Sequence, residues 1–261
     1  CSVATSHARN TRMTEPQFYS AELNADARMR LLLERDLRQT LNADHGNELI
    51  LHYQPQFDHD GRIEAAEALI RWQHPTLGLL PPGRFISLAE ESGLIIPLGI
   101  WVIRAACRQL RQWSEAGLRN VTIAITLASS HFLDPGLLPL LDEVTRANGI
   151  HPRQIRLELT ESMVMEDSDR VRSTLAHIHE RGFLLSIDDF GTGFSSLRHL
   201  SFLPLDTLKI DRSFIQTMLE GTRQAAVVRG IVALAKSLGL RVVAEGVETQ
   251  EQASALRGEG C

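Results

Sequence analysis

Cysteine is scarce in this chain. Cys1, Cys107 and Cys261 are the only three in 261 residues, with no spacing that suits zinc or a disulfide framework. A reducing, cytoplasmic setting is therefore expected. Basic charge is also short: 27 Lys and Arg stand against 32 Asp and Glu, a formal net charge of −5. That balance argues against a general binder of polymeric nucleic acid or of membrane surfaces, while leaving room for a single nucleotide in a local site. Long apolar runs are missing too. The longest, Leu94 to Ile103, falls far short of the roughly 20 residues that cross a bilayer. What remains is a chain with 43% hydrophobic residues, enough for a substantial core.

Short runs rich in Val, Ile and Leu alternate with helical patterns, as expected for βα units around a parallel sheet. Strands are predicted near Leu49–Gln54, Ile63–Arg71, Val121–Leu127, Ile155–Thr160, Phe183–Asp188, Thr207–Ile210 and Arg241–Glu245. Helices are predicted over Arg84–Glu91, Pro97–Ala116, Gly136–Asn148, Ser168–Arg181, Thr222–Leu238 and Gln250–Arg257. Gly149, Gly182 and Gly239 follow three of these and suit left-handed C-caps. Only Phe57 to Arg62 joins the first two strands, too short for a parallel crossover, so that pair is predicted antiparallel. Seven strands are visible and an eighth would close a barrel. The chain stops at Gly258-Glu259-Gly260-Cys261, where another strand is expected, so the natural protein is expected to continue and this stretch alone to be unstable. Residues 1–25 are polar and aperiodic and read as a linker from an upstream domain. Asp26 reads as the N-cap of a helix from Ala27 to about Leu41, an incoming helix over 26–42 that precedes an incomplete barrel over 49–261.

Acidic residues gather at the strand ends. Glu67 lies in the second strand, Glu158 late in the fourth, and Asp188 and Asp189 at the end of the fifth. Lys209 and Asp211 end the sixth, and Glu245 and Glu248 the seventh. In a (βα)8 barrel these ends converge on the mouth where active sites sit. Carboxylates crowded there need positive charge, and hard cations with oxygen ligands supply it. Each acid alone has a plainer reading: a turn residue at Asp189, a helix cap at Glu161, a solvated pair at Lys209 and Asp211. Jointly those readings weaken, because each would have to hold at the same end of four strands. Other candidates are poorer. Gly191-Thr192-Gly193 lacks the rest of a phosphate loop. His177 and His179 point to different helix faces. Cys107, Trp72, Trp101 and Trp113 read as packing residues.

Five motifs in order, EALIRW, LELTES, IDDFGTGFSSL, LKIDRSF and AEGVET, resemble the EAL family of cyclic di-GMP phosphodiesterases. The likeness runs from about Leu49 to the last residue, and RNTRMTEPQFYS with the helix after it resembles the connector that follows a GGDEF domain in tandem proteins. The resemblance implies an α/β fold, a TIM-like barrel with one antiparallel strand, over an EAL domain at 26–261. It implies hydrolysis of cyclic di-GMP to linear pGpG with two Mg2+ or Mn2+ ions. Carried over motif by motif, Glu67, Glu158, Asp188, Asp189 and Glu245 become metal ligands, and Glu67, Lys209, Asp189 and Glu245 the catalytic set, with Lys209 orienting the attacking water. Glu161 becomes the anchor of the loop after Asp189, whose order couples metal binding to a homodimer in this family. Gln54, Leu69, Arg71, Asp211 and Glu248 become ligand-site residues, Arg71 pairing a phosphate. Two metals would acidify a water, neutralise the phosphodiester and stabilise the departing 3′-oxygen. Adjacent aspartates suit such a centre, since alternate orientations along a strand let each serve one ion.

Two departures stand out. In IAITLASSHF, Thr126 stands where the family carries a metal-binding Asn, and Ala128 where it carries Ser. The family's last strand would begin at Gly260-Cys261. Three readings follow: a metal-dependent hydrolase, a catalytically impaired receptor for cyclic di-GMP, or a barrel enzyme with Lys209 as a Schiff-base lysine. The acids around Lys209 would keep it protonated, which disfavours the third.

Overall fold

A computed structural model describes residues 21–42, 48–161, 163, 169–191, 200 and 202–261. The proposed linker's residues 1–20 and the loop at 192–199, with the Thr192-Gly193 motif, lie outside the described residues. The chain divides into two compact units, one drawn from Cys1–Ile50 and Ile70–Leu98, the other from Leu51–Leu69 and Gly99–Cys261.

The elements run α1 (Ala21–Asn42), β1 (Leu49–Phe57), β2 (Ile63–His74), β3 (Gly78–Leu80), α2 (Ile86–Glu91), α3 (Ile95–Glu115), β4 (Thr122–Thr126), α4 (Ser129–Leu133), α5 (Leu137–Asn148), β5 (Ile155–Thr160), α6 (Asp169–Glu180), β6 (Leu184–Phe190), β7 (Thr207–Ile210), α7 (Arg212–Thr217), α8 (Thr222–Ser237), β8 (Arg241–Ala244) and α9 (Gln250–Glu259). The sheet order is β1-β2-β4-β5-β6-β7-β8, parallel from β2 onward, and β3 forms a short antiparallel hairpin on β2. The seven strands of the path are the seven read from the sequence. The β1–β2 turn closes with Asp58 N donating to Arg62 O at 2.9 Å, and Asp58 Oδ1 accepts from the backbone N–H groups of Asp60 and Arg62. A turn this tight makes β1 antiparallel to β2. The fold is α/β, a TIM-like barrel topology with one antiparallel strand. Among the described residues β1 and β8 end the strand path.

In the larger unit, two-residue alternation sorts the strands into an apolar and a polar face. Ile187, Leu208 and Ile210 pack against Val228, Ile231, Val232 and Ala235 of α8. Each buried Ile, Leu or Val side chain there contributes about 1.5–3 kcal/mol. The alternating partners Glu158, Ser186, Asp188, Thr207 and Lys209 are buried on the other face. In the smaller unit α1 is held by apolar and polar contacts together. Leu33 and Leu37 are buried, Thr40 Oγ1 and Trp72 Nε1 donate to Glu48 Oε2, and the buried His74 lies 3.3 Å from Asp36.

Gly149, Gly182 and Gly239 take positive φ, as their cap positions require. The start of α1 is a correction: the helix begins at Ala21, so Asp26 lies inside it. Ala21-Glu22-Leu23 are good helix formers, and their propensity overrides one capping aspartate. The helix expected over Arg84–Glu91 is interrupted at Phe85, which leaves the helical region between a 3-10 turn and α2. α3 begins two residues before Pro97, since proline is tolerated in a first turn.

Gly99 on α3 sits against His131, whose Nδ1 lies 3.1 Å from Ala128 O. A Cβ there would land on the imidazole, closer than non-bonded atoms can approach. Gly99→Ala should therefore lower stability by about 1–3 kcal/mol in a denaturant titration. Gly230→Ala, in α8 with nothing within 4 Å of the new methyl, should raise it by about 0.5–1 kcal/mol. Equal effects would contradict this packing.

Candidate metal and substrate site

Parallel registry puts the functional side chains in a few rows. Thr126 pairs with Glu158, Glu158 with Ser186, and Ser186 with Thr207. Residues in direct register face the same side. Lys209, two positions past Thr207, rises on that side into the carboxylates.

Lys209 is 0% exposed. Its Nζ lies 2.6 Å from Glu245 Oε1, 2.7 Å from Glu158 Oε2, and 3.1 Å from both Glu67 Oε2 and Asp188 Oδ1. An ammonium has three donors, so four acceptors share them. Burial alone would lower the lysine's pKa, but Glu158, Glu67, Asp188 and Glu245 together hold it above the ordinary range. The carboxylates shift upward as well, toward their neutral form. Burial pushes Glu158 up to about 7, with Glu67 and Asp188 adding to it and Lys209 opposing. Burial also raises Glu245 and Asp189, the latter with help from the neighbouring Asp188 charge. The site carries more negative charge than its lysine offsets.

The adjacent aspartates solve a geometric problem that strand alternation would leave. Between Ile187 and Phe190 the β6–β7 register shifts, and Asp189 takes φ 54°, the one positive value outside glycine among the described residues. Bulges and left-handed residues re-aim side chains near functional sites. Here Asp188, Asp189 and Glu245 each bring an oxygen within 4.8 Å of the others. The pair therefore serves one cluster instead of opposite faces. The donors are all carboxylate oxygens, which fits a hard divalent cation. Past the bulge, Gly191 N donates to Glu161 Oε2 at 2.8 Å, tying the end of β5 to the turn that follows Asp189.

The EAL domain family matches residues 34–261. The chain belongs to that family. It is 41% identical over 256 residues to the "Bifunctional diguanylate cyclase/cyclic di-GMP phosphodiesterase MucR" of Pseudomonas aeruginosa, covering 98% of this chain and 37% of that protein. To the "Cyclic di-GMP phosphodiesterase NbdA" of the same organism it is 45% identical over 249 residues, covering 94% of this chain and 31% of that protein. The chain thus spans about a third of these relatives' length. Among solved structures, "PaMucR Phosphodiesterase, c-di-GMP complex" superposes with a TM-score of 0.82 at 43% identity, covering 88% of this chain and 92% of that one.

Beyond the carboxylates, the EAL domain places its other candidates unevenly. Gln54 is exposed on β1 and Leu69 half-buried on β2. Arg71, farther along β2, donates from Nη1 to the Ile70 carbonyl. Asp211 is already engaged: its Oδ1 accepts from Ser213 N at 3.0 Å and from Ser213 Oγ, capping α7. Glu248 is exposed, its N–H donating to Gln252 Oε1 at the start of α9. Thr126 Oγ1 donates to Glu158 Oε2 at 3.3 Å, so Thr126 holds a site carboxylate. Ser186, missed in the sequence, donates to Glu158 Oε1 at 3.3 Å. A serine inside FLLSI, two positions before Asp188, is the signal that could have found it.

Proposed function

We propose that this EAL domain hydrolyses cyclic di-GMP to linear pGpG in bacterial second-messenger signalling. The observation that carries the reading is the buried Lys209 bridging four carboxylates beside the Asp188–Asp189–Glu245 cluster. Glu67, Glu158, Asp188, Asp189 and Glu245 are the proposed ligands of Mg2+ or Mn2+. Five carboxylates against one ammonium leave an excess that two divalent cations would balance. When bound, such ions acidify water, offset phosphodiester charge and stabilise a leaving 3′-oxygen.

The chain's own residues do the rest. Lys209, held charged by Glu67, Glu158, Asp188 and Glu245, would turn one N–H to the attacking water once bound cations engage those carboxylates. Glu161 fixes the turn after Asp189 through Gly191 N. Arg71 pairs a phosphate, Gln54 and Leu69 line the ligand site, and Glu248 adds a polar rim. Asp211 contributes by orienting α7. A homodimer through the EAL domain, an upstream GGDEF or sensor domain in cis and a cytoplasmic setting complete the proposal. No helix among the described residues is long and apolar enough to cross a membrane.

A second reading, a catalytically impaired receptor for the same ligand, is favoured by Thr126 alone. The retained acids and Lys209 favour the enzyme. Incubation with cyclic di-GMP and Mn2+, followed by chromatography, should yield pGpG, and the same incubation in EDTA should not. Intact substrate in both would leave the receptor reading standing.

A further inference from the structure

Arg156 is a buried cation that the proposed mechanism does not use. It sits on β5 two residues before Glu158, on the same polar face, and is 2% exposed. No carboxylate reaches it within ion-pair distance among the described contacts, and its Nε is without a partner. Burial, then the nearby Arg241 charge, lowers its pKa, against the pull of Glu158, Glu64 and Asp206. Burying a guanidinium is costly unless it holds something in place. What it holds is Gln56: Nη1 donates to Gln56 Oε1 at 3.2 Å, across 100 residues of sequence.

Gln56 is on β1, three strands from β5 in the sheet order. The bond therefore spans the polar face instead of following the ladder. Its placement follows from the antiparallel β1, which descends toward the 58–62 turn and so delivers Gln56 to the end of the sheet where β5 begins. β1 needs such a tie. Pro55, between Gln54 and Gln56, gives the ladder no N–H. Much of the strand is exposed, and a strand with little buried face has a weakly specified register. Tyr53 fixes the opposite face, its ring 4.9 Å from Trp113. Gln54 shares the face of Gln56, about 6.6–6.8 Å farther along β1 toward the end of the sheet where the carboxylates gather.

We infer that Arg156 is a positioning residue for the ligand site, acting through Gln56 to fix the β1 register that presents Gln54. The inference rests on the cyclic di-GMP reading. Removing either partner loosens β1 while leaving the carboxylates intact.

The test is calorimetric titration of cyclic di-GMP in EDTA, beside Mn2+ titrations, for the wild-type protein, Arg156→Met, Gln56→Ala and Gln56→Glu. Gln56 is only half-buried, so Gln56→Ala keeps the test valid should Arg156→Met fail to fold. Arg156→Met and Gln56→Ala should each weaken cyclic di-GMP binding about five- to tenfold, with Mn2+ affinity unchanged. Gln56→Glu, which keeps an acceptor for the guanidinium, should retain wild-type affinity. In a Gln54→Ala background Gln56→Ala should have no further effect, because its action runs through Gln54. Undiminished binding by Gln56→Ala, or an equal loss in the Gln54→Ala background, overturns the inference alone. Failure of the wild-type protein to bind overturns the cyclic di-GMP reading and the inference with it.

Discussion

Lys209→Met should abolish most hydrolysis of cyclic di-GMP, by about 10²–10⁴-fold, the range lost when a positioned proton-handling group is removed. It should also destabilise the protein in EDTA. The ammonium lies within 3.1 Å of Glu67, Glu158, Asp188 and Glu245. Removing it leaves buried carboxylates facing one another without their cation, and breaking such a pair costs about 3–5 kcal/mol. The two effects separate in Mn2+. Stability should largely return, because a divalent cation offsets the same carboxylates, while activity should not. A Lys209→Met protein that hydrolyses at the wild-type rate, or melts at the wild-type temperature in EDTA, would remove the lysine from the centre of this account.

Divalent cations should stabilise the wild-type protein strongly. A ligand that binds only the folded chain at 100 times its dissociation constant adds about 2.7 kcal/mol. For a chain of this size that corresponds to a melting shift of about 5–10 °C. Asp188→Asn should lose most of the shift, since its oxygen is one of the three that converge with Asp189 and Glu245. Differential scanning calorimetry with and without Mn2+ reads both. A melting temperature that does not respond to Mg2+ or Mn2+ in the wild-type protein would mean the carboxylates serve something other than a cation.

The strands were legible as short runs rich in Val, Ile and Leu set between helical patterns. In Ile155–Thr160 and Thr207–Ile210, Glu158 and Lys209 each sit between buried apolar residues, and both could be placed at the mouth from sequence alone. The antiparallel β1 followed from the length of one connection. One-turn helices did not show, because α4 and α7 are too short to display a helical period. The meeting of Asp188 with Asp189 was hidden as well. Alternation turns neighbours to opposite faces, and only the register shift against β7 and the left-handed Asp189 overturn that. The Arg156–Gln56 contact belongs to the same class: nothing local links residues 100 positions apart. Thr126 was legible as a departure, but its bond to Glu158 depends on the β4–β5 register.

The most direct test is the initial rate of pGpG formation from cyclic di-GMP in Mn2+ and in Mg2+, for the wild-type protein beside Glu67→Ala and Thr126→Asn. The account predicts turnover by the wild-type protein, none by Glu67→Ala, and a rate for Thr126→Asn at or above wild type. Turnover by Thr126→Asn alone would contradict it and make the natural protein a receptor.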